Sequence, residues 1–167
     1  MNITSLFFID TSMFTTFMLG RFKKRLDDDG EIVLRGPDPE TGEKIIDRPI
    51  LKDWNSGRGL LSRLSAHAAP FLDGKKAVFG NIHIEKQGVN AHTPWRIDDG
   101  EYAETHHRCM LCLVPSPTAW VYSGGEGAVL QVGAAMLINH RVLHSEVNLG
   151  PCATVRLVAD VRRPDAP

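Results

Sequence analysis

Several features that mark specialised classes of protein are missing from this 167-residue chain. Three cysteines cannot all pair, which argues against a disulfide scaffold and favours a reducing cytoplasm. The formal net charge is −1, so neither nucleic acid nor an anionic membrane is an expected partner. Internal repeats and low-complexity segments are absent. The composition, with 43% hydrophobic and 23% charged residues, is that of an ordinary globular protein, and the length predicts one domain over residues 1–167.

The apolar start of the chain, MNITSLFFIDTSMFTTFMLGRFKKR, lacks the basic leader of a signal peptide. Asp10 and several Ser and Thr residues interrupt it, so it is too polar for a membrane-spanning helix. Its phenylalanines fit one stripe of an amphipathic helix, and they fit equally well a strand at 5–9 followed by a helix. We therefore expect a soluble cytoplasmic protein.

The rest of the chain changes character near residue 73. Residues 27–58 are rich in Pro, Gly and Asp, which is typical of a loop, and 59–72 have helical spacing. KAVFGNIHIEKQG then alternates like a strand, and short strand-like runs follow at 107–114, 119–122, 128–132, 135–139 and 153–161. The pattern predicts a helical and loop-like part over 1–72 and a mainly β core, a β-sandwich or jelly roll, over 73–164.

A set of charged residues in this core matches a known iron chemistry. Oxygen-activating proteins commonly hold Fe(II) with two histidines and one carboxylate, and a His-x-Asp step on one strand supplies two of the ligands. A distal histidine is the third ligand, and an arginine further on grips the carboxylate of a 2-oxo acid. Here Asp98 fits the carboxylate, His144 the distal histidine and Arg156 the arginine. Arg96 stands where the histidine of the step belongs.

Residues 94–164 resemble the aspartyl/asparaginyl β-hydroxylase family of Fe(II)- and 2-oxoglutarate-dependent oxygenases. The similarity lies in PWRIDDGEYA, in RCMLCL, in YSGGEGAVLQVGAAMLINHRVLHSEVNLG and in VRLVADVRRP. It implies a double-stranded β-helix (jelly-roll, cupin-like) fold with flanking helices. It also implies Fe(II), 2-oxoglutarate and O2, release of succinate and CO2, and hydroxylation of an amino acid, free or in a peptide.

The resemblance assigns roles to four residues of this chain. Asp98 and His144 would bind iron, Arg156 would hold the far carboxylate of 2-oxoglutarate, and Arg108 would assist with the co-substrate. A second family histidine, which faces the co-substrate, falls on Met110.

The loss of the first iron histidine changes the expected chemistry. A guanidinium stays protonated and cannot bind iron as an imidazole does. Beside Asp98, Arg96 would more naturally form an ion pair that competes with the metal for the carboxylate.

Three interpretations of this change remain open. In the first, another histidine replaces the missing ligand: His92 if the chain folds back at Pro94, or His106 or His107 if one turns inward. In the second, the protein binds metal weakly or not at all and has kept the fold to bind an anionic ligand. In the third, Arg96 holds an anionic substrate for a different reaction.

We favour an Fe(II)/2-oxoglutarate-dependent hydroxylase that acts on an amino acid or an amino-acid-derived small molecule. Arg96 and Trp95 are then the expected substrate contacts. An ion pair between Arg96 and Asp98 would favour the non-catalytic binder, whereas a histidine within ligand reach of both Asp98 and His144 would favour the enzyme. The sequence leaves a homodimer open.

Cys109 and Cys112 are spaced like half of a zinc site. No second pair exists, and a strand with a period of two residues directs these side chains to opposite faces. The spacing therefore predicts two core cysteines.

Overall fold

The protein is represented by a computed structural model, which describes residues 3–8, 11, 23–27, 30–37, 45–48 and 55–166. The strands are β1 (Ile3–Phe8), β2 (Glu31–Pro37), β3 (Ile45–Asp47), β4 (Phe79–Gln87), β5 (Ala91–His92), β6 (His106–Val114), β7 (Ala119–Ser123), β8 (Glu126–Val129), β9 (Ala134–Ile138), β10 (His144–Asn148) and β11 (Thr154–Arg162). The helices are α1 (Asn55–Ala68), which continues into a 3-10 turn at Ala69–Phe71, and α2 (Gly100–Thr105); residues 23–27 are also helical.

The strands form two antiparallel sheets. The large sheet has seven strands in the order β1-β9-β6-β11-β4-β2-β3, and the small sheet has four in the order β5-β10-β7-β8. Two antiparallel sheets with flanking helices make the mainly β jelly roll, or double-stranded β-helix, that the sequence predicts. None of the helices in the described ranges is both long and apolar enough to span a bilayer.

Alternate residues of the central strands of the large sheet point to opposite faces, and both faces are covered by apolar clusters. On the outer face, Ile84 and Leu157 pack in one cluster with Leu60 and Leu64 of α1. On the inner face, Val158 belongs to a second apolar cluster between the sheets. The polar site lies on this inner face.

The described residues of the N-terminal part include three strands, β1, β2 and β3. The strand alternative near 5–9 is confirmed, since β1 pairs with β9, whereas 12–22 lie outside the described residues. The loop expected at 27–58 is wrong over β2, which joins β4 in the large sheet with Ile32 and Leu34 buried. Two buried positions in alternation are enough for a strand that has a neighbour to pair with. The predicted division at residue 72 therefore separates strands of one sheet.

Two other predictions from the sequence are confirmed. The helical spacing at 59–72 corresponds to α1 and the 3-10 turn that follows it. Cys109 and Cys112 are free and buried, and they belong to the two different apolar clusters on opposite faces of β6.

Candidate active site

The chain before α2 runs antiparallel to the start of β10 and brings Arg96 beside His144. The Arg96 amide donates to the His144 carbonyl at 3.0 Å, and the His144 amide donates to the Arg96 carbonyl at 2.9 Å. Directly paired residues of antiparallel strands direct their side chains to the same face. Arg96, which stands where the resemblance places the first iron histidine, therefore lies next to His144.

One ring nitrogen of His144 is hydrogen-bonded and the other has no partner within the described ranges, which is the arrangement typical of a histidine that binds metal. Its Nδ1 lies 3.0 Å from the Val142 carbonyl, to which it must donate, so the lone pair of the neutral ring is on Nε2. Burial, helped by the charges of Arg96 and Arg108, holds the pKa of His144 below its ordinary value, although Val142 and Asp98 act in the other direction. Nε2 is buried, has no hydrogen-bond partner in the described part of the chain, and lies 3.7 Å from Asp98 Oδ1.

Asp98 is surrounded by cationic and hydrogen-bonding groups. Arg96 Nε lies 3.0 Å from Oδ1, while Arg108 Nη1 and His140 Nδ1 lie 3.4 and 3.0 Å from Oδ2. Burial acts to raise the pKa of Asp98, but the hydrogen bonds from His140 and Arg96 and the charge of Arg108 outweigh it and lower the pKa. The Arg96–Asp98 ion pair that the sequence suggests is therefore formed.

His140 is the site residue that the sequence interpretation missed. Its ring is 2% exposed and lies between the Asp98 carboxylate and the His106 carbonyl, which is 2.9 Å from Nε2. The signal was present in NHRVLH, where a second histidine precedes His144 by four residues. Because both ring nitrogens are engaged, His140 positions Asp98 and does not complete a metal site. No group of three or more His, Cys, Asp or Glu residues within the described ranges is arranged to hold a metal ion.

Two residues predicted for the site lie elsewhere. His92 pairs with Val147 on β10, and both line a cavity on the outer face of the small sheet together with Trp95. Val147 and His144 are three residues apart on one strand, so they point to opposite faces. The structure therefore brings neither His92 nor Trp95 to Asp98. The chain does not fold back at Pro94, because Ala91, His92 and Arg96 pair in turn with Asn148, Val147 and His144 and the segment continues in one direction along β10.

The other histidines considered as replacement ligands also stay out of the site. The His106 ring stacks on Tyr102 with ring centroids 4.2 Å apart. His107 is half-buried, and burial lowers its pKa. Neither is among the described residues that line the space between the sheets.

Arg156, which the sequence predicts to hold the co-substrate, forms ion pairs with two carboxylates of the protein itself. Its side chain is 2% exposed; Nε contacts Glu85 on β4, and Nη2 contacts Glu146 on β10. Burial acts to lower the pKa of Arg156, but the charges of Glu146 and Glu85 outweigh it and raise the pKa. Nη1 is buried and has no acceptor among the described residues. These three residues are called the Arg156 cluster below.

A cavity of about 170 Å³ lies between the two sheets and is called the inter-sheet cavity below. Its walls are formed by His83, Glu85, Thr93, Arg96, Arg108, Met110, Glu146 and Val158. The glutamates of the Arg156 cluster are on the wall, whereas Arg156 is not. Met110, where the family has a histidine facing the co-substrate, contributes an apolar surface.

The residues present fit iron in part and fit the far end of 2-oxoglutarate poorly. Asp98 and the buried, unpartnered Nε2 of His144 suit two positions around a divalent metal ion. A carboxylate directed at Arg156 would instead meet Glu85 and Glu146, which already neutralise that guanidinium.

The Arg156 cluster should make stability depend on acid pH. Burial acts to raise the pKa of Glu85, but His83 and Arg156 outweigh it and lower the pKa from 4.5 to about 2. A depressed folded-state pKa contributes stability that is complete above the unfolded value and is lost as the pH falls. We expect the free energy of unfolding in urea to fall between pH 4.5 and about pH 2, and to fall less in Glu85→Gln. Equal slopes in the two proteins would contradict this assignment.

The jelly-roll fold of the chain is similar to the folds of several solved 2-oxoglutarate- and Fe(II)-dependent oxygenases. AviO1 from Streptomyces viridochromogenes Tue57 matches with a TM-score of 0.67 at 18% identity, over 99% of this chain and 91% of that one. The viral collagen prolyl hydroxylase of Paramecium Bursaria Chlorella virus-1, solved as a 2OG complex, matches with a TM-score of 0.64 at 7% identity, over 98% and 96%.

A third similar structure is SnoN, an alpha ketoglutarate dependent epimerase from nogalamycin biosynthesis. Its TM-score is 0.64 at 13% identity, over 97% of this chain and 76% of that one. At such identities the likeness concerns the fold. No protein-family model and no curated protein matches the chain.

Proposed function

We propose that the protein is an Fe(II)- and 2-oxoglutarate-dependent oxygenase that hydroxylates an amino acid or an amino-acid-derived small molecule. The proposal rests on one observation above all: the buried Nε2 of His144 has no partner among the described residues and lies 3.7 Å from Asp98 Oδ1. The fold similarity to SnoN and the viral prolyl hydroxylase supports it. Within this proposal, the aspartyl/asparaginyl β-hydroxylases are the specific family that we favour, on the sequence resemblance of residues 94–164.

Each residue of the site has a role in this proposal. Asp98 and His144 hold the iron, which would supply the activation of O2 when bound. His140 fixes the orientation of Asp98 through its hydrogen bond. Arg108 and Arg96 are on the wall of the inter-sheet cavity, where they orient the carboxylate of a bound acid beside the metal ligands.

The position of Arg156 alters what we expect of the co-substrate. Because Glu85 and Glu146 occupy its guanidinium, 2-oxoglutarate is left with Arg96 and Arg108 as partners for its carboxylates. We therefore expect 2-oxoglutarate to bind more weakly than it would to a site in which Arg156 faced the cavity without carboxylate partners.

The test is anaerobic addition of Fe(II) and then of excess 2-oxoglutarate to the purified protein. We expect the visible charge-transfer band of an iron–oxo-acid complex in the wild type and its loss in His144→Ala. His92→Ala is the matched control, because this histidine lies on the outer face of the small sheet and its removal should leave the band unchanged.

The absence of the band in the wild-type protein, together with no retained iron, would contradict this proposal. A second function is then favoured by the Arg96–Asp98 ion pair at 3.0 Å, which satisfies the carboxylate without a metal. In that case the domain binds a small acid without catalysis, and the affinity for the acid does not change when Fe(II) is added.

A further inference from the structure

We propose that Arg96 couples the binding of a divalent metal ion to the binding of an acid. Without the acid, its guanidinium occupies the oxygen of Asp98 that the metal needs; with the acid bound, the guanidinium pairs with the carboxylate of the ligand and that oxygen is released. The inference rests on the proposed function, in which the acid is 2-oxoglutarate. Arg96 is then a positioning residue through which the metal and the co-substrate each bind more tightly in the presence of the other.

The first step is that the two oxygens of Asp98 have different partners. Oδ2 lies 3.0 Å from His140 Nδ1 and 3.4 Å from Arg108 Nη1. Oδ1 lies 3.0 Å from Arg96 Nε and 3.7 Å from His144 Nε2. A metal ion shared by Asp98 and His144 would bind Oδ1 and Nε2. Arg96 therefore donates to the oxygen for which the metal competes, whereas His140 and Arg108 hold the other one.

The second step is that Arg96 is the less restrained of the two arginines beside Asp98. Its side chain is 40% exposed, against 17% for Arg108. Arg108 Nε also lies 3.4 Å from Asp160, whose side chain is 4% exposed. Arg96 has no second carboxylate partner among the described residues, and only its Nε donates to Asp98. Arg96 can therefore turn towards a ligand at the cost of one hydrogen bond, while Arg108 stays in place.

The third step is the exchange of partners that an acid allows. With Arg96 on Oδ1, a metal ion would have to bind beside a guanidinium, and the two cations repel each other. Arg96 is also on the wall of the inter-sheet cavity, where a carboxylate can accept two parallel hydrogen bonds from it in place of the single one to Asp98. Asp98 keeps the hydrogen bond from His140, so the carboxylate stays oriented while Oδ1 becomes free.

Coupling of this kind is reciprocal. The factor by which the acid raises the affinity for the metal must equal the factor by which the metal raises the affinity for the acid. An arginine in the place of the first iron histidine then does not abolish metal binding, but makes it depend on the co-substrate.

The test is calorimetric titration with Ni(II), a redox-stable ion, in the absence and presence of excess glutarate. Glutarate has the two carboxylates of 2-oxoglutarate without the oxo group that forms the chelate with the metal. After correction for Ni(II) bound by glutarate in solution, we expect glutarate to raise the affinity of the wild type for Ni(II) at least about tenfold, within the range typical of coupled sites. Pentanamide, which is uncharged, should leave the affinity unchanged.

Arg96→Gln separates the release of Asp98 from direct binding of the acid to the metal. We expect it to bind Ni(II) more tightly than the wild type when no acid is present, because Oδ1 is already free, and to gain less when glutarate is added. Arg96→Lys keeps a cation at this position and should keep part of the coupling. Arg63→Gln, at an exposed position of α1, is the matched control and should keep the wild-type ratio.

The outcomes separate this inference from the oxygenase. Equal affinities for Ni(II) with and without glutarate in the wild type would overturn the inference and leave the oxygenase. An equal gain in the wild type and in Arg96→Gln would do the same, because the acid would then bind the metal directly. Coupling of Ni(II) to glutarate without an iron–oxo-acid complex would overturn the oxygenase alone. A wild-type protein that binds no metal under either condition would overturn both.

Discussion

Replacing Arg156 by methionine should lower the free energy of unfolding by about 3–5 kcal/mol, the range expected when one partner is removed from a buried ion pair. The guanidinium is 2% exposed, and the side chain of Glu146 is 5% exposed. Methionine fills much of the volume but leaves Glu85 and Glu146 close together without a counter-charge. Urea denaturation followed by circular dichroism measures the change.

Two further proteins separate charge from packing in this experiment. The triple variant Arg156→Met, Glu85→Gln, Glu146→Gln removes the unpaired carboxylates and should recover most of the lost stability. Arg163→Met breaks an ion pair with the exposed Asp165 and should cost about 1 kcal/mol or less. If Arg156→Met cost no more than Arg163→Met, the buried cluster described here would be incorrect.

Replacing Arg96 by histidine should strengthen divalent-metal binding by at least about tenfold, since a hydrogen bond to a charged group contributes about 1.5–3 kcal/mol and its removal frees Asp98. The new imidazole would start from a backbone position already hydrogen-bonded to His144. It would complete two histidines and one carboxylate on one face. Anaerobic titration with Fe(II), and with Ni(II) as a redox-stable ion, measures the affinity.

Arg96→Gln is the control for this variant because it removes the guanidinium without adding an imidazole. We expect it to gain part of the affinity, and Arg96→His to gain more. Equal affinities in wild type and Arg96→His would show that Asp98 and His144 are not metal ligands, and would leave the anion-binding function.

The sequence was informative about the fold where residue alternation was long. β4 and β11 each have nine residues and a visible period of two, and β6, also nine residues long, carries a continuous apolar run. β2 escaped prediction because only Ile32 and Leu34 carry its apolar face between segments rich in Pro, Gly and Asp. Such a strand is stabilised by pairing with β4, a long-range contact that the local sequence does not specify.

The same limit applies to the site. The closeness of Asp98, Arg96 and His144 could be predicted, since a family pattern specifies their spacing. The partners of Arg156 could not, because Glu85 lies 71 residues away and Glu146 ten, on strands of different sheets. An arginine on an apolar strand signals that an anion is near, but not whether the anion is a ligand or the protein itself.

The three cysteines have a practical consequence for the experiments above. Burial raises the pKa of Cys109 to about 12 and that of Cys112 to about 11, so their thiols stay protonated and shielded from reagents at neutral pH. Cys152 is exposed, and its carbonyl accepts a hydrogen bond from Asn148 at the end of β10. A maleimide fluorophore would therefore attach at one place in the unaltered chain, four residues from the strand that carries Glu146, and could report ligand entry by its emission.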